Sequence, residues 1–196
     1  MRTLTYLVAT SLDGFIAAPD GSFDAFRAEP SYLAELFALY PETAPAPARA
    51  PFGVDQRENR SFDTVLMGRA TYDVGASVGL TSPYPHLTQV VISRTLGTSP
   101  DPAVRVIDHD VREHVRALKA ESGLGIWLCG GGQLASTLVD EIDVLALKIN
   151  PVVLGSGIPL FAAGTPRIDF TLMYSRRFDN GVLLARYART GRTDRP

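Results

Sequence analysis

Cysteine is almost absent from this chain of 196 residues: Cys129 is the only one. That excludes an intrachain disulfide and a zinc site built from several cysteines. Histidine is nearly as scarce. His86, His109 and His114 follow none of the spacings that mark a metal site on a helix, so no metal is expected. Charge of one sign is missing too. Nineteen Lys and Arg against 21 Asp and Glu leave a formal net charge of -2, and no basic patch stands out. Nucleic acid is therefore not an expected partner. No apolar run is long enough to span a bilayer. The N-terminus alternates apolar and polar residues and lacks the apolar core of a signal peptide. The expectation is a cytoplasmic protein without a membrane partner. A hydrophobic content of 45% over this length suits one α/β domain covering 1–196.

The pattern along the chain is more informative. Leu4, Tyr6 and Val8 alternate with other residues and predict a first strand, which ends in the turn signal Ser11-Leu12-Asp13-Gly14. Tyr32, Leu33, Leu36, Phe37 and Leu39 recur at helical spacing and predict a helix over 31–40 with Ser31 as its N-cap. Next come Pro41, Pro45, Pro47 and Pro51, interleaved with alanine. That composition resists helix and sheet, so 41–60 is expected to be a mobile insertion loop, with a lid over a site as the other reading. Strands over 64–67, 89–93, 104–107, 126–129 and 144–149 then alternate with helices, the second of which has Asp110 and Glu113 placed for a capping box. Two last strands flank Asp179-Asn180-Gly181, a signal for a type I′ hairpin turn. The order implies a mainly parallel central sheet with helices on both faces and a C-terminal antiparallel hairpin.

In open α/β sheets, ligands bind beyond the carboxyl ends of the strands. Three predicted strands end in residues suited to an anion. Gly130-Gly131-Gly132 joins a strand to a helix, where bare backbone can approach a phosphate. Gly68-Arg69-Ala70-Thr71 stands at a second junction and offers close approach, a charged fork and a hydroxyl. Ser93-Arg94 closes a third strand, and two arginines near one another suit the 2′-phosphate that distinguishes NADPH from NADH. Each feature alone also reads as a tight turn, a helix cap or a solvated arginine.

Taken together and in order, Met-Gly-Arg-x-Thr-Tyr, Ser-Arg and Gly-Gly-Gly-x-Leu resemble the dihydrofolate reductase superfamily. Ser11 to Ala17, Asn150 to Phe161 and Phe178 to Gly181 are closer to the branch holding the reductase domain of riboflavin-biosynthesis enzymes, RibD C-terminal, and its stand-alone homologues. The resemblance spans nearly the whole chain outside 41–60. It implies a dihydrofolate-reductase-like fold and NADPH as cofactor. Gly68, Arg69 and Thr71 would hold the cofactor phosphates, and Ser93 and Arg94 would lie at the 2′-phosphate. Gly130, Gly131, Gly132, Gln133 and Leu134 would line the pyrophosphate and nicotinamide. By the same resemblance the Gly130–Gly131 peptide is expected to be cis, and the protein a homodimer. Ile168, Phe170, Leu172 and Tyr174, alternating along an edge strand, would need covering.

The substrate side is less defined. Asp13 and Asp24 are the candidate proton donors, Asp13 competing with a turn role and Asp24 lying between Phe23 and Phe26. Phe15 and Phe26 are candidate stacking surfaces for a flat heterocycle. The chain has no Trp before Trp127, which departs from folate-reducing relatives. It also lacks the Ser-x-Trp-Ile-like motif and the zinc deaminase domain of riboflavin-pathway enzymes. The reading is an NADPH-dependent oxidoreductase of a small planar heterocycle. A riboflavin-pathway pyrimidine reductase, a dihydrofolate reductase and a non-catalytic nucleotide-binding module are the alternatives.

Overall fold

The computed structural model describes residues 1–191. In chain order the elements are β1 (Leu4–Thr10), β2 (Phe15–Ala17), α1 (Pro30–Leu39), α2 (Ala46–Arg49), β3 (Phe62–Gly68), α3 (Arg69–Ala76), β4 (Thr88–Ile92) and β5 (Val104–Ile107). They continue with α4 (Val111–Ala120), β6 (Gly125–Gly130), α5 (Gly132–Thr137), β7 (Val144–Ile149), β8 (Ile158–Pro159), β9 (Phe170–Arg177) and β10 (Leu183–Arg189). Eight strands form one sheet in the order β5-β4-β3-β6-β1-β7-β10-β9, while β2 and β8 form a separate ribbon. The sheet is parallel from β5 through β7, and β10 runs antiparallel to both β7 and β9. This is the architecture the alternation of elements predicts. The central strands are apolar almost throughout because helices cover both of their faces. On one face Tyr32 and Leu36 of α1 and Tyr72 of α3 pack with Leu7, Met67, Trp127 and Ala146. On the other, Val115, Leu134 and Leu138 pack with Tyr6, Leu66 and Leu128.

The structure corrects several local expectations. Helix α1 starts at Pro30 with Glu29 as N-cap, so Ser31 lies inside it. Proline's fixed φ and missing N–H cost nothing in a first turn. Asp110 does precede α4, but in the left-handed region at φ 46°, and it makes no side-chain cap hydrogen bond. A capping aspartate normally needs extended backbone to reach the next N–H groups, and the capping box does not form. The Asp179-Asn180-Gly181 turn has positive φ only at Gly181 (87°), which excludes type I′. The N–H of Phe178 donates to the Val182 carbonyl, closing a loop of three residues. Every described peptide bond is trans, Gly130–Gly131 included, and the chain turns there through the positive φ of Gly131 (96°).

The segment 41–60 is likewise ordered rather than a mobile loop. Three of its four prolines occupy helix N-termini: Pro41 opens a single 3-10 turn (Pro41–Thr43), Pro45 is the N-cap of α2 and Pro47 lies in its first turn, while Pro51 follows the end of α2 in a turn. Ala44 and Val54 bury against Phe37. The buried Arg49 guanidinium donates to the carbonyls of Pro41 at 3.0 Å and Val54 at 2.8 Å. Glu42, fully buried, accepts the N–H groups of Ser61 at 2.8 Å and Phe62 at 3.0 Å through Oε1, pinning the segment to the start of β3. Arg49→Ala strands those carbonyls and is expected to cost about 3 kcal/mol, since hydrogen bonds to charged groups and unpaired buried acceptors each count for 1–3 kcal/mol. Urea denaturation measures it, as a lower midpoint with an unchanged slope.

Candidate active site

Parallel pairing brings the carboxyl ends of β4, β3, β6, β1 and β7 to one edge of the sheet, in that order. The three sequence-predicted anion-binding segments follow β4, β3 and β6, which are adjacent. Gly68 pairs with Ile92, so Ser93-Arg94 leaves β4 level with Gly68-Arg69 leaving β3. Gly68 and the glycine turn also meet: a Cβ built on Gly131 would lie 3.9 Å from Gly68 Cα, and one built on Gly68 would lie 3.8 Å from the Gly130 carbonyl oxygen. The Thr71 hydroxyl stands over Gly130, 3.1 Å from where a Cβ would be. The result is a strip of backbone bare of side chains, with Thr71 at its side and Arg69 and Arg94 at its outer end.

The surrounding residues divide the work. Arg69 Nε donates to both carboxylate oxygens of Asp73, at 2.8 and 2.7 Å, one helical turn on. That contact steers the guanidinium while leaving its terminal nitrogens to other partners. Ser93 is buried, and its Oγ accepts the N–H groups of Thr95 and Leu96 at 3.3 and 3.1 Å. It therefore shapes the turn that presents Arg94, which is exposed. Leu134 is buried beneath the strip, within 4.0 Å of a Cβ on either Gly68 or Gly131. Gln133 is exposed on α5. Gly132 backs onto the Pro159 carbonyl of β8, leaving no room for a side chain.

The segments 11–17 and 150–161 prove to be mutual partners. Leu12 N–H donates to the Val152 carbonyl, and Leu160 N–H to the Gly14 carbonyl. Asp13 is exposed, and its carboxylate accepts the N–H groups of Leu154 at 3.1 Å and Gly155 at 2.7 Å. The Ser11 hydroxyl first, and these backbone donors with it, hold the carboxyl below its usual range. A proton donor needs the opposite shift, and both Asp13 oxygens are already engaged in holding the 154–155 backbone. Asp24 stands exposed in the turn before α1. Phe15 is half-buried in the β2–β8 ribbon, and Phe26 is half-buried just before α1.

Sequence reasoning placed Asn150 at the start of the 150–161 segment but gave this polar residue, which follows an apolar strand, no role of its own. It is 2% exposed. Its Oδ1 accepts the Arg27 N–H at 2.9 Å, and its Nδ2 donates to the Lys148 carbonyl at 3.0 Å. One side chain thus ties the end of β7 to the approach to α1. Asn150→Ala removes these bonds inside the protein and is expected to destabilise by about 2 kcal/mol, lowering Tm by several degrees in a thermal melt. Cys129 lies on the α1-facing side of β6, 4.0 Å from the Tyr84 hydroxyl. Burial pushes its thiol up to about 11, which makes it unreactive at neutral pH.

Comparison with known proteins adds to this geometry. The family model for the RibD C-terminal domain matches residues 2–184. The chain is 32% identical over 185 residues to Uncharacterized protein YwjB of Bacillus subtilis (strain 168), covering 93% of this chain and 95% of that one. It is 28% identical over 195 residues to Uncharacterized protein YyaP of the same organism, covering 93% and 92%. Among solved structures, its fold matches a candidate riboflavin biosynthesis protein from Shewanella sp. PV-4 with a TM-score of 0.69 at 23% identity, over 97% of this chain and 99% of that one. It matches a Thermotoga maritima diaminohydroxyphosphoribosylaminopyrimidine deaminase/5-amino-6-(5-phosphoribosylamino)uracil reductase with a TM-score of 0.63 at 15% identity, over 96% of this chain and 56% of that one. At these identities the structural likenesses concern the fold.

Proposed function

The chain belongs to the RibD C-terminal domain family, and on that premise we propose that it is an NADPH-dependent reductase of a small, planar heterocycle. The family supports a reductase-type role. The cofactor assignment rests on the bare strip at Gly68, Gly130 and Gly131, with arginines at one end. Backbone without side chains at these adjacent strand ends lets a phosphate approach closely, so these residues fit a dinucleotide. Arg69 and Arg94 would hold the 2′-phosphate, and Thr71 and the glycine backbone the pyrophosphate. When bound, the reduced nicotinamide supplies a hydride. The chain's task is then to position a planar acceptor beyond β6, β1 and β7 and to keep water out.

The assay is NADPH consumption against a panel of pterins, flavin precursors and other electron-poor heterocycles. Turnover with at least one is expected, and tight NADPH binding with no acceptor reduced would favour a nucleotide-binding module instead. We further propose a homodimer that covers β9, where Leu172, Met173 and Tyr174 are 53%, 66% and 46% exposed. Light scattering at micromolar concentration should return twice the chain mass; a monomer there removes this point.

A further inference from the structure

Of the 19 basic side chains only Lys119 and Lys148 are lysines. Lys119 has a plain structural role. It is 2% exposed, and its ammonium donates to the Glu141 carbonyl at 2.7 Å and to Asp143 at 2.6 Å. Lys148 has no such explanation. It lies on β7 between Ala9 of β1 and Leu184 of β10. Leu184 and Ala146, the next β7 residue on the same side, both belong to the α1-facing core. Lys148 is half-buried on that apolar face, close to the carboxyl end of its strand. It makes no ion pair among the described residues. The Cys129 thiol, the titratable neighbour that acts on it, is itself held neutral by burial.

A half-buried ammonium without a counter-ion costs free energy. Arginine, which supplies 17 of the 19 basic residues, would carry the same charge but could not release a proton. Burial lowers the Lys148 pKa and so eases that release. Two strand spacings, about 10 Å, separate β7 from β6, which ends in the glycine turn. A four-carbon stem reaches into that interval. Of the two acidic candidates, Asp13 holds the 154–155 backbone and Asp24 is exposed before α1.

We propose that Lys148 contacts the substrate and supplies the proton that accompanies hydride transfer. This rests on the reductase reading. The substrate is then a heterocycle with a polarised C=N bond. Its carbon takes the hydride, with two electrons, from the reduced nicotinamide, which is oxidised. The π pair moves onto nitrogen, which takes a proton from Lys148 Nζ. The product gains one C–H and one N–H bond, and the neutral amine recovers its proton from water.

Pyridoxal 5′-phosphate, a planar heteroaromatic aldehyde, is the probe. It forms an imine with an accessible amine, borohydride fixes the adduct, and peptide mass spectrometry locates it. Lys148 should be modified roughly tenfold faster than Lys119, whose reaction needs local opening. Saturating NADPH should slow modification of Lys148 roughly tenfold and leave the N-terminal amine unaffected. If NADPH raises Tm but modification of Lys148 is unchanged, or if Lys148 reacts no faster than Lys119, the assignment is overturned and the reductase reading stands. If NADPH does not shift Tm at all, the reductase reading itself fails. Lys148→Met and Lys148→Arg should keep NADPH affinity within about threefold while losing about 100-fold or more in turnover of any acceptor the wild type reduces. Undiminished turnover in Lys148→Met also overturns the proposal.

Discussion

Arg69→Ala and Arg94→Ala are each expected to weaken NADPH binding by about 10- to 100-fold, the range of one charge-assisted hydrogen bond to a phosphate, and to leave NADH binding within about threefold. The two cofactors differ only by the 2′-phosphate. A residue that grips this group therefore distinguishes them, whereas a residue on the pyrophosphate does not. Trp127, the single tryptophan, lies in β6 three residues before the glycine turn and reports binding by its fluorescence. Register places Arg69 and Arg94 at neighbouring strand ends, so the paired variant should lose nearly all preference for NADPH. The loss should shrink as salt rises, because both guanidinium groups are solvent-accessible. Asp73→Ala is the control for geometry. It frees Arg69 from its tether without removing charge from the phosphate side, and should weaken NADPH binding by less than Arg69→Ala. Equal losses for NADH and NADPH would move the arginines to the pyrophosphate. No loss for either would make them surface charge and remove the cofactor assignment.

Two glycine substitutions of the same size should have opposite consequences. At Gly132 an added methyl would overlap the Pro159 carbonyl oxygen, which is backbone and cannot swing aside. Helix α5 and the β2–β8 ribbon would have to separate, and overpacking of this kind costs about 3 kcal/mol or more. Gly132→Ala should melt well below the wild type, or fail to accumulate as folded protein. At Gly68 the φ of -72° is open to any residue, and the new methyl meets nothing nearer than 3.8 Å. Gly68→Ala should keep a Tm within a few degrees of wild type. It should nevertheless weaken both dinucleotides by about tenfold or more, because the methyl stands where the phosphate backbone must approach. Thermal melts and NADPH titration of the two variants together separate a glycine kept for packing from one kept for binding. A Gly68→Ala protein that binds NADPH normally would contradict the placement of the cofactor along the strip.

The sequence by itself determined the succession of strands and helices, because apolar periodicity and glycine or proline punctuation are local signals. The strands over 104–107 and 144–149 were legible to the residue. It also determined which strand ends carry phosphate-compatible residues, since Gly68-Arg69, Ser93-Arg94 and Gly130 to Gly132 are each contiguous. What it left open depends on contacts between residues far apart in the chain. Segment 41–60 reads as a loop because its order comes from a buried Arg49 and from Glu42 reaching Ser61 and Phe62. Asp13 reads as a possible acid until Leu154 and Gly155, 141 and 142 residues away, are seen to bind it. Asn150 and Lys148 close an apolar run, and nothing local marks the role of either. Their neighbours in the folded chain decide that one is a buried tie and the other an amine without an ion pair among the described residues, because burial and pairing are properties that folding supplies.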